Sequence, residues 1–377
     1  MEWKVRYIDY PQQYRKMRKE ILETVDIVLS KGDVMMRQQM RDFETNLAAF
    51  VGTKYALGIS NCTDALHLTL RAADIGPGDE VITVSHTFVA SAAAIHHSGG
   101  EPVLIDIEED HNMDVELIEA AITSKTKALM PVHLNGRLCK MDKLMSIANN
   151  HHLLVIEDSA QALGGSFKGI KGGNWGLAGC FSFYPAKVLG AYGDAGAVVT
   201  NSSNLFERIK HLRDHGRLPN GDIAEWSFNS RLDNLHAAIL DLKLKQLPNW
   251  IRRRREIAGI YHEYLSEIPQ LLLPPPPKTD DTYFDIFQNY EIEADDRDLL
   301  KPYLQEKGIE TMIPWGGKGI HQFAALGLTD FLLPRTEQMF KRALMLPMHC
   351  ELADEQVIYV AEMVRKFYAK GSCTYVG

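Results

Sequence analysis

GCFSFYPAKVLGAYGDAGAVVTN, Gly179–Asn201, sets two short apolar runs, GCFSFY and GAVVTN, on either side of a loop with a single lysine, Lys187. Each run has the length and composition of one buried strand. The loop is punctuated by Gly190, Gly193 and Gly196, residues that let backbone or a ligand approach closely. A lysine amine is a nucleophile only when neutral, and it serves catalysis by condensing with a carbonyl. Lys187 is therefore the candidate catalytic residue, with an ordinary surface lysine beside a glycine-rich turn as the competing reading of this segment alone.

Working outward, the same alternation runs from Tyr55 to about Thr200. The apolar runs YALGIS, EVITVS, PVLIDI, KALMPVHL and LLVIED precede the two already quoted, with longer amphipathic stretches between them. Short apolar runs alternating with helical patterns predict an α/β fold with a parallel-rich sheet covered by helices on both faces. Ligands in such folds gather at the carboxyl ends of the strands. Asp158 closes LLVIED there, and His133 and Asn135 follow the start of KALMPVHL. A helix is expected from Asp64 onward, with Asn61, Cys62 and Thr63 as its entry; unpaired amides at such an entry suit an anion, and Thr63 or Asp64 serves equally well as a simple N-cap.

Beyond Asn229, RLDNLHAAILDLKLKQL carries apolar residues at helical spacing, and a basic-acidic helix is expected from about Trp250 to Ile268. LLLPPPPKTDDT reads as an extended connection, because consecutive prolines cannot continue a helix. FDIFQNYEIEA then reads as a strand within a small α+β unit. The expected division is residues 1–247, a large domain that includes the N-terminal helical segment, and residues 248–377, a smaller C-terminal domain.

With 377 residues, 45% hydrophobic and 24% charged, the chain has the composition of a soluble globular protein with room for two domains. Its formal charge of −8 includes no basic tail, and the run Arg252–Arg255, followed by Glu256, reads as a solvated helix face. The charged start MEWKVRYIDYPQQYRKMRKE is not a secretory signal, and no apolar run is long enough to span a bilayer. Five scattered cysteines without a CxxC pair point to a reducing cytoplasm. His96-His97 and His151-His152 lack further ligands at metal spacing, so no metal is expected. No nucleophile elbow, zinc-protease helix, Walker loop or dinucleotide fingerprint is present.

The ordered segments FETNLAAFVGTKYALGISNCTDALHLTL, VSHTFVAS, PVHLNGRLCKMD, VIEDSAQALGGSFKG, FSFYPAKVLGAYGDAGAVV, FNSRLDNLHAAIL and LMLPMHCELADEQVIYVAEMV resemble the DegT/DnrJ/EryC1/StrS family of sugar aminotransferases. That resemblance implies a fold-type I, aspartate aminotransferase-like architecture and pyridoxal 5'-phosphate as cofactor. It implies that Lys187 is covalent anchor and proton shuttle, and that Asp158 holds the ring nitrogen protonated. Gln161 would meet the ring hydroxyl and Phe88 would stack on the ring. Cys62, Thr63 and Ser182 would hold the phosphate, and Asn229 would reach it from a neighbouring subunit, making a homodimer with shared sites. His86, Asn135, Trp315, Lys318 and His321 stand where substrate contacts are implied.

The implied reaction moves an amino group from glutamate or glutamine to a keto sugar, most simply a nucleotide-linked one, in amino-sugar or surface-polysaccharide biosynthesis. Asp194, where many relatives acting on 4-keto sugars carry glutamate, resembles the branch acting on 3-keto sugars. Departures are Asn135 in place of a tyrosine, Cys62 in place of a glycine, and MIPWGGKGIHQF in place of the family's HYPxPxHxQ loop. They keep open a 4-keto sugar, a keto-inositol or another sugar ketone or aldehyde as substrate. A cofactor-binding regulator without turnover is the alternative from another class.

Overall fold

A computed structural model describes residues 3–278 and 282–371; Cys373 and part of the LLLPPPPKTDDT connection lie outside them. All seven apolar runs become strands of one sheet, in the order Tyr55–Ile59, Gly196–Thr200, Ala178–Ser182, Leu154–Asp158, Thr126–Leu129, Glu80–Val84, Glu101–Ile105. Every pairing from Ala178–Ser182 to Glu101–Ile105 is parallel. Gly196–Thr200 runs antiparallel to both neighbours. The reason is local: the segment between Ser182 and Gly196 contains no helix to carry the chain back for a parallel return, so it comes back as an antiparallel strand.

The strands are buried on both faces by period-two alternation. Phe181, Ala197 and Val199 face a core with Phe43, Leu47, Leu232 and Leu240. Cys180 and Val198 face the opposite core with Leu66, Leu70, Ile95 and Ile156. Burying each large apolar side chain stabilises the fold by about 1.5–3 kcal/mol.

A second sheet joins Leu271–Leu272, Tyr290–Ala294 and Ala343–Leu346, antiparallel throughout. Its core contains Ile257, Tyr261, Ile292, Leu344 and Val360, together with Val5 from the start of the chain. Helix Leu247–Leu265 begins three residues earlier than Trp250, with Pro248 in its first turn, where a missing N–H costs nothing. Its first turns pack Leu247 and Ile251 into the large sheet's core, and its later turns pack Ile257 and Tyr261 into the second.

The arginine run on this helix departs from the solvated face expected of it. Arg254 is buried and donates to the carbonyls of Phe287 (3.0 Å) and Gln288 (2.9 Å). Arg255 donates to the carbonyls of Asp285 and Lys278, and Arg253 pairs with Asp354. Guanidinium donors aimed at loop carbonyls satisfy backbone that has no partner strand, and this requirement outranks solvation.

Beneath the lysine loop, Lys243 is almost fully buried; its Nζ donates to the Gly190 carbonyl and lies over the Tyr192 ring, 4.8 Å from the centroid. Burial pushes its pKa down to about 8, against about 10.4 for an unfolded lysine. Between those values the unfolded chain holds more protons at this position, so this group makes the fold more stable as pH rises from about 8 to about 10. Lys243→Met is expected to flatten that rise in a melting-temperature series across pH. An unchanged slope would remove Lys243 as its source.

Candidate active site

The helix after Tyr55–Ile59 spans Cys62–Ala72, two residues earlier than expected, because Asn61 is the N-cap and its side chain accepts from Asp64 N–H at 2.8 Å. Asp64 thus neither begins nor caps the helix; its carboxylate accepts from Ser60 (2.6 Å) and Ser230 (2.7 Å) hydroxyls. Among the described residues the Cys62 and Thr63 amides have no recorded acceptor, as the first turn of a helix dictates. Gly196 packs directly on this entry: a Cβ there would stand 2.5 Å from the Asn61 carbonyl carbon and 2.7 Å from Cys62 N. The glycine is what allows the lysine loop to end against the helix start.

Lys187 is half-buried, and among the described residues its Nζ has no hydrogen-bond or ion-pair partner. Burial lowers its pKa, opposed by the nearby Cys62 and Asp158. Cys62 is pushed the other way, up, by burial first and then by Asp158, so its thiol stays neutral. Asp158, Lys187 and Cys62, from three separate elements, thus share one electrostatic neighbourhood at the carboxyl end of the sheet.

Asp158 is buried at the end of its strand, accepting from Ser91 Oγ at 2.7 Å and from Ala160 N–H at 3.2 Å. Burial raises its pKa, with the Ser91 and Ala160 hydrogen bonds and then Lys187 opposing. Phe88, 57% exposed on the turn before helix Ala90–His97, leaves an aromatic face uncovered. Gln161 uses its carbonyl oxygen for Asn135 N–H (2.8 Å) and the Asn289 amide (3.3 Å), leaving its NH2 as the available donor. Ser182 closes strand Ala178–Ser182, its Oγ accepting from Tyr184 N–H at 3.3 Å. Asn229 is exposed, next to Ser230, on a segment bridged to Asp214.

The residues expected at the substrate fall into two groups. Lys318 is exposed, and Trp315, half-buried with φ 45°, meets the His86 ring in a T-shaped contact, centroids 5.1 Å apart. His86 is fully buried, and Asn135 donates to Glu291 at 2.9 Å. His321 has both ring nitrogens occupied by protein, Nδ1 with Ser85 Oγ at 2.6 Å and Nε2 with Glu337 at 3.4 Å; it anchors its loop to the VSHTFVAS turn.

Three residues in contact with the candidate site were not singled out by sequence reasoning. Ser91 closes the VSHTFVAS motif one helical turn after Phe88, a spacing that could have revealed it. Gln288 and Glu291 come from FDIFQNYEIEA, which carries no motif signal at all. Gln288 is buried and brackets the lysine, donating to the Ala186 carbonyl (2.9 Å) and accepting from Val188 N–H (2.8 Å). Gln288→Ala is expected to lower kcat by about 10-fold through misplacement of Lys187, with a lower melting temperature from two orphaned backbone groups. Wild-type kcat in a folded Gln288→Ala protein would show that the loop holds itself.

A mostly parallel seven-stranded sheet, with the candidate residues Lys187 and Asp158 at one end of its strands, has the architecture of the fold-type I aminotransferase class. The profile of the DegT/DnrJ/EryC1/StrS aminotransferase family matches residues 15–365, and the chain belongs to that family. A "pleiotropic regulatory protein" of Geobacillus stearothermophilus is 40% identical over 365 residues, 96% of this chain and 98% of the relative. The dTDP-3-amino-3,4,6-trideoxy-alpha-D-glucose transaminase of Streptomyces venezuelae is 36% identical over 369 residues, 97% of this chain and 96% of the relative. The crystal structure of S. venezuelae DesV in complex with ketimine intermediate superposes with a TM-score of 0.93 at 35% identity, covering 97% of this chain and 99% of that one. No described helix is long and apolar enough to cross a membrane.

Proposed function

We propose that this aminotransferase uses pyridoxal 5'-phosphate to move an amino group from glutamate or glutamine to a nucleotide-linked keto sugar at carbon 3, as a cytoplasmic homodimer in amino-sugar or surface-polysaccharide biosynthesis. The observation that carries the proposal is that the strand ending at Asp158 pairs with Ala178–Ser182, which leads into the Lys187 loop, and that this loop ends at Gly196 against the unpaired Cys62–Thr63 amides. Carbon 3 is supported by Asp194 in the lysine loop and by the 3-amino sugar in the S. venezuelae relative's name.

The donor set fits the cofactor. Asp158 is a buried carboxylate whose pKa is raised by desolvation, and a protonated ring nitrogen supplies the counter-charge that keeps such a group ionised. The helix entry, with the Thr63 hydroxyl and Ser182, suits a phosphate. Phe88 offers a face for stacking, and the Gln161 NH2 offers a donor for the ring hydroxyl. When bound, the cofactor supplies an aldehyde and an electron-accepting ring.

The remaining chemistry belongs to this chain. Lys187 Nζ, neutral for a larger share of time than an exposed lysine, takes the proton from the amine-bearing carbon of the donor. In the second half it delivers a proton to carbon 3 of the sugar. Ser91 keeps the Asp158 carboxylate aimed, and Gln288 keeps the lysine backbone in place. Asn229, exposed and without a side-chain partner among the described residues, is assigned to the phosphate of the neighbouring subunit.

The test is the visible absorbance of the cofactor-loaded protein before and after glutamate. Bleaching by glutamate and recovery with a 3-keto nucleotide sugar are expected. Failure to acquire any cofactor band would overturn the proposal. A protein that binds the cofactor but leaves its spectrum unchanged with either donor would favour the second reading, a regulator without turnover, which the 40%-identical relative's name supports.

A further inference from the structure

Away from the lysine, three segments bring His86, His111 and Glu291 together, all buried, with one ligand-capable atom from each lying within 4.8 Å of the others. His86 follows strand Glu80–Val84. His111 sits at φ 69° in the turn closed by the Ile107–Met113 bridge. Glu291 lies on Tyr290–Ala294, the middle strand of the second sheet. His86 Nε2 is 3.2 Å and His111 Nδ1 3.5 Å from Glu291 Oε1. Ligands at about 2.0–2.2 Å around one tetrahedral ion stand about 3.3–3.6 Å apart.

The partners of the other atoms decide which lone pairs face inward. His86 Nδ1 meets the His111 carbonyl at 3.3 Å, an acceptor, so that nitrogen carries a hydrogen, and in the neutral imidazole Nε2 presents a lone pair. His111 Nε2 meets Glu293 Oε1 at 3.0 Å, so its hydrogen lies there and Nδ1 presents a lone pair. Glu291 Oε2 accepts from Asn135 Nδ2 at 2.9 Å, leaving Oε1 turned inward. With both imidazoles neutral, three electron-rich atoms thus converge, and His86 Nε2 and Glu291 Oε1, 3.2 Å apart, are buried without a well-aligned hydrogen bond.

Each inward atom is oriented through the far side of its own group, by a backbone carbonyl, a carboxylate and an amide. Metal-binding histidines are held by outer partners of these kinds. Arg335 pairs with Glu293 and Arg342 lies 3.7 Å from it, fixing the outer carboxylate in turn.

We propose that His86, His111 and Glu291 form a binding site for a divalent transition metal of the zinc type, with a fourth position left for water. Two imidazoles and one carboxylate are a zinc ligand set. The ion joins the large sheet to the second sheet, and through Asn135, whose N–H donates to Gln161, it stiffens the wall of the active site. Sequence neighbours could not reveal it, since the ligands lie in three distant segments.

The experiment uses tag-free, full-length, cofactor-loaded protein grown with added zinc, dialysed, and analysed for metal by mass spectrometry. About one zinc per chain is expected, falling to background in His111→Ala and Glu291→Gln. Chelator-stripped wild type, still folded by circular dichroism, is expected to take up Co(II) with visible ligand-field bands and without thiolate charge-transfer absorption, and to melt at a higher temperature with zinc. A stripped, folded wild type that binds neither ion would overturn the site, leaving protons alone to hold the cluster. Full metal content in a folded His111→Ala protein, or a thiolate band in the wild type, would overturn it by placing the metal elsewhere. Should either variant fail to fold, the wild-type stoichiometry and cobalt spectrum decide the question.

Discussion

Replacing Lys187 with alanine is expected to lower turnover by about 10⁴-fold, because one amine is assigned both the covalent role and the proton transfer. Such a loss normally invites the objection that the fold was damaged. Here it has little force: among the described residues Lys187 Nζ has no hydrogen-bond or ion-pair partner, and its burial lowers its pKa, which is an energetic cost to the fold at neutral pH. The loop is held instead by backbone bonds, Lys187 N–H to the Tyr184 carbonyl at 2.8 Å and the two Gln288 contacts. Lys187→Ala should therefore melt at or above the wild-type temperature without cofactor while losing activity. Partial rescue of the rate by added methylamine would identify the missing group as a proton carrier. Wild-type turnover in the variant would remove Lys187 from the chemistry altogether.

Asp158→Asn carries the second large effect, a fall of about 10³-fold in kcat, with its own separation of structure from chemistry. Asparagine keeps the volume, its carbonyl can still accept the Ala160 N–H, and its amide can donate to Ser91 Oγ, so the strand end stays packed. The ionised carboxylate, which burial destabilises, is lost. Without cofactor the variant should be at least as stable as wild type; with cofactor, the stabilisation gained on loading should shrink, because the ring nitrogen loses its counter-charge. Equal kcat in the two proteins would reduce Asp158 to a strand-end hydrogen-bond acceptor. Equal loading stabilisation would show that no buried cation forms beside it.

Much of this protein is legible along the chain because the information is local. A run such as GAVVTN is apolar at consecutive positions, and a strand buried on both faces is the structure that uses every one of them; all seven such runs became strands of the large sheet. Lys187 and Asp158 stand out as candidates because Asp158 ends one such run and Lys187 follows another, where strand ends collect polar function. The helix start was displaced by two residues because Asn61 captured Asp64 N–H, a choice between adjacent capping residues that composition leaves degenerate. The arginine run was misread because helical periodicity cannot say which outward face meets a loop with unpaired carbonyls.

What only the tertiary structure decided is everything held by contacts between distant segments. Gln288 lies a hundred residues from the lysine it brackets, and Ser91 meets Asp158 across 67 positions. His86, His111 and Glu291 share no spacing, since one follows a strand, one sits in a turn and one lies within a strand of the second sheet, and they meet only where the segments pack together. A local pattern states which way a side chain faces its own strand or helix. Which partner waits on the other side is set by how the sheets pack, and that is where the supporting shell of this site and its candidate metal cluster arise.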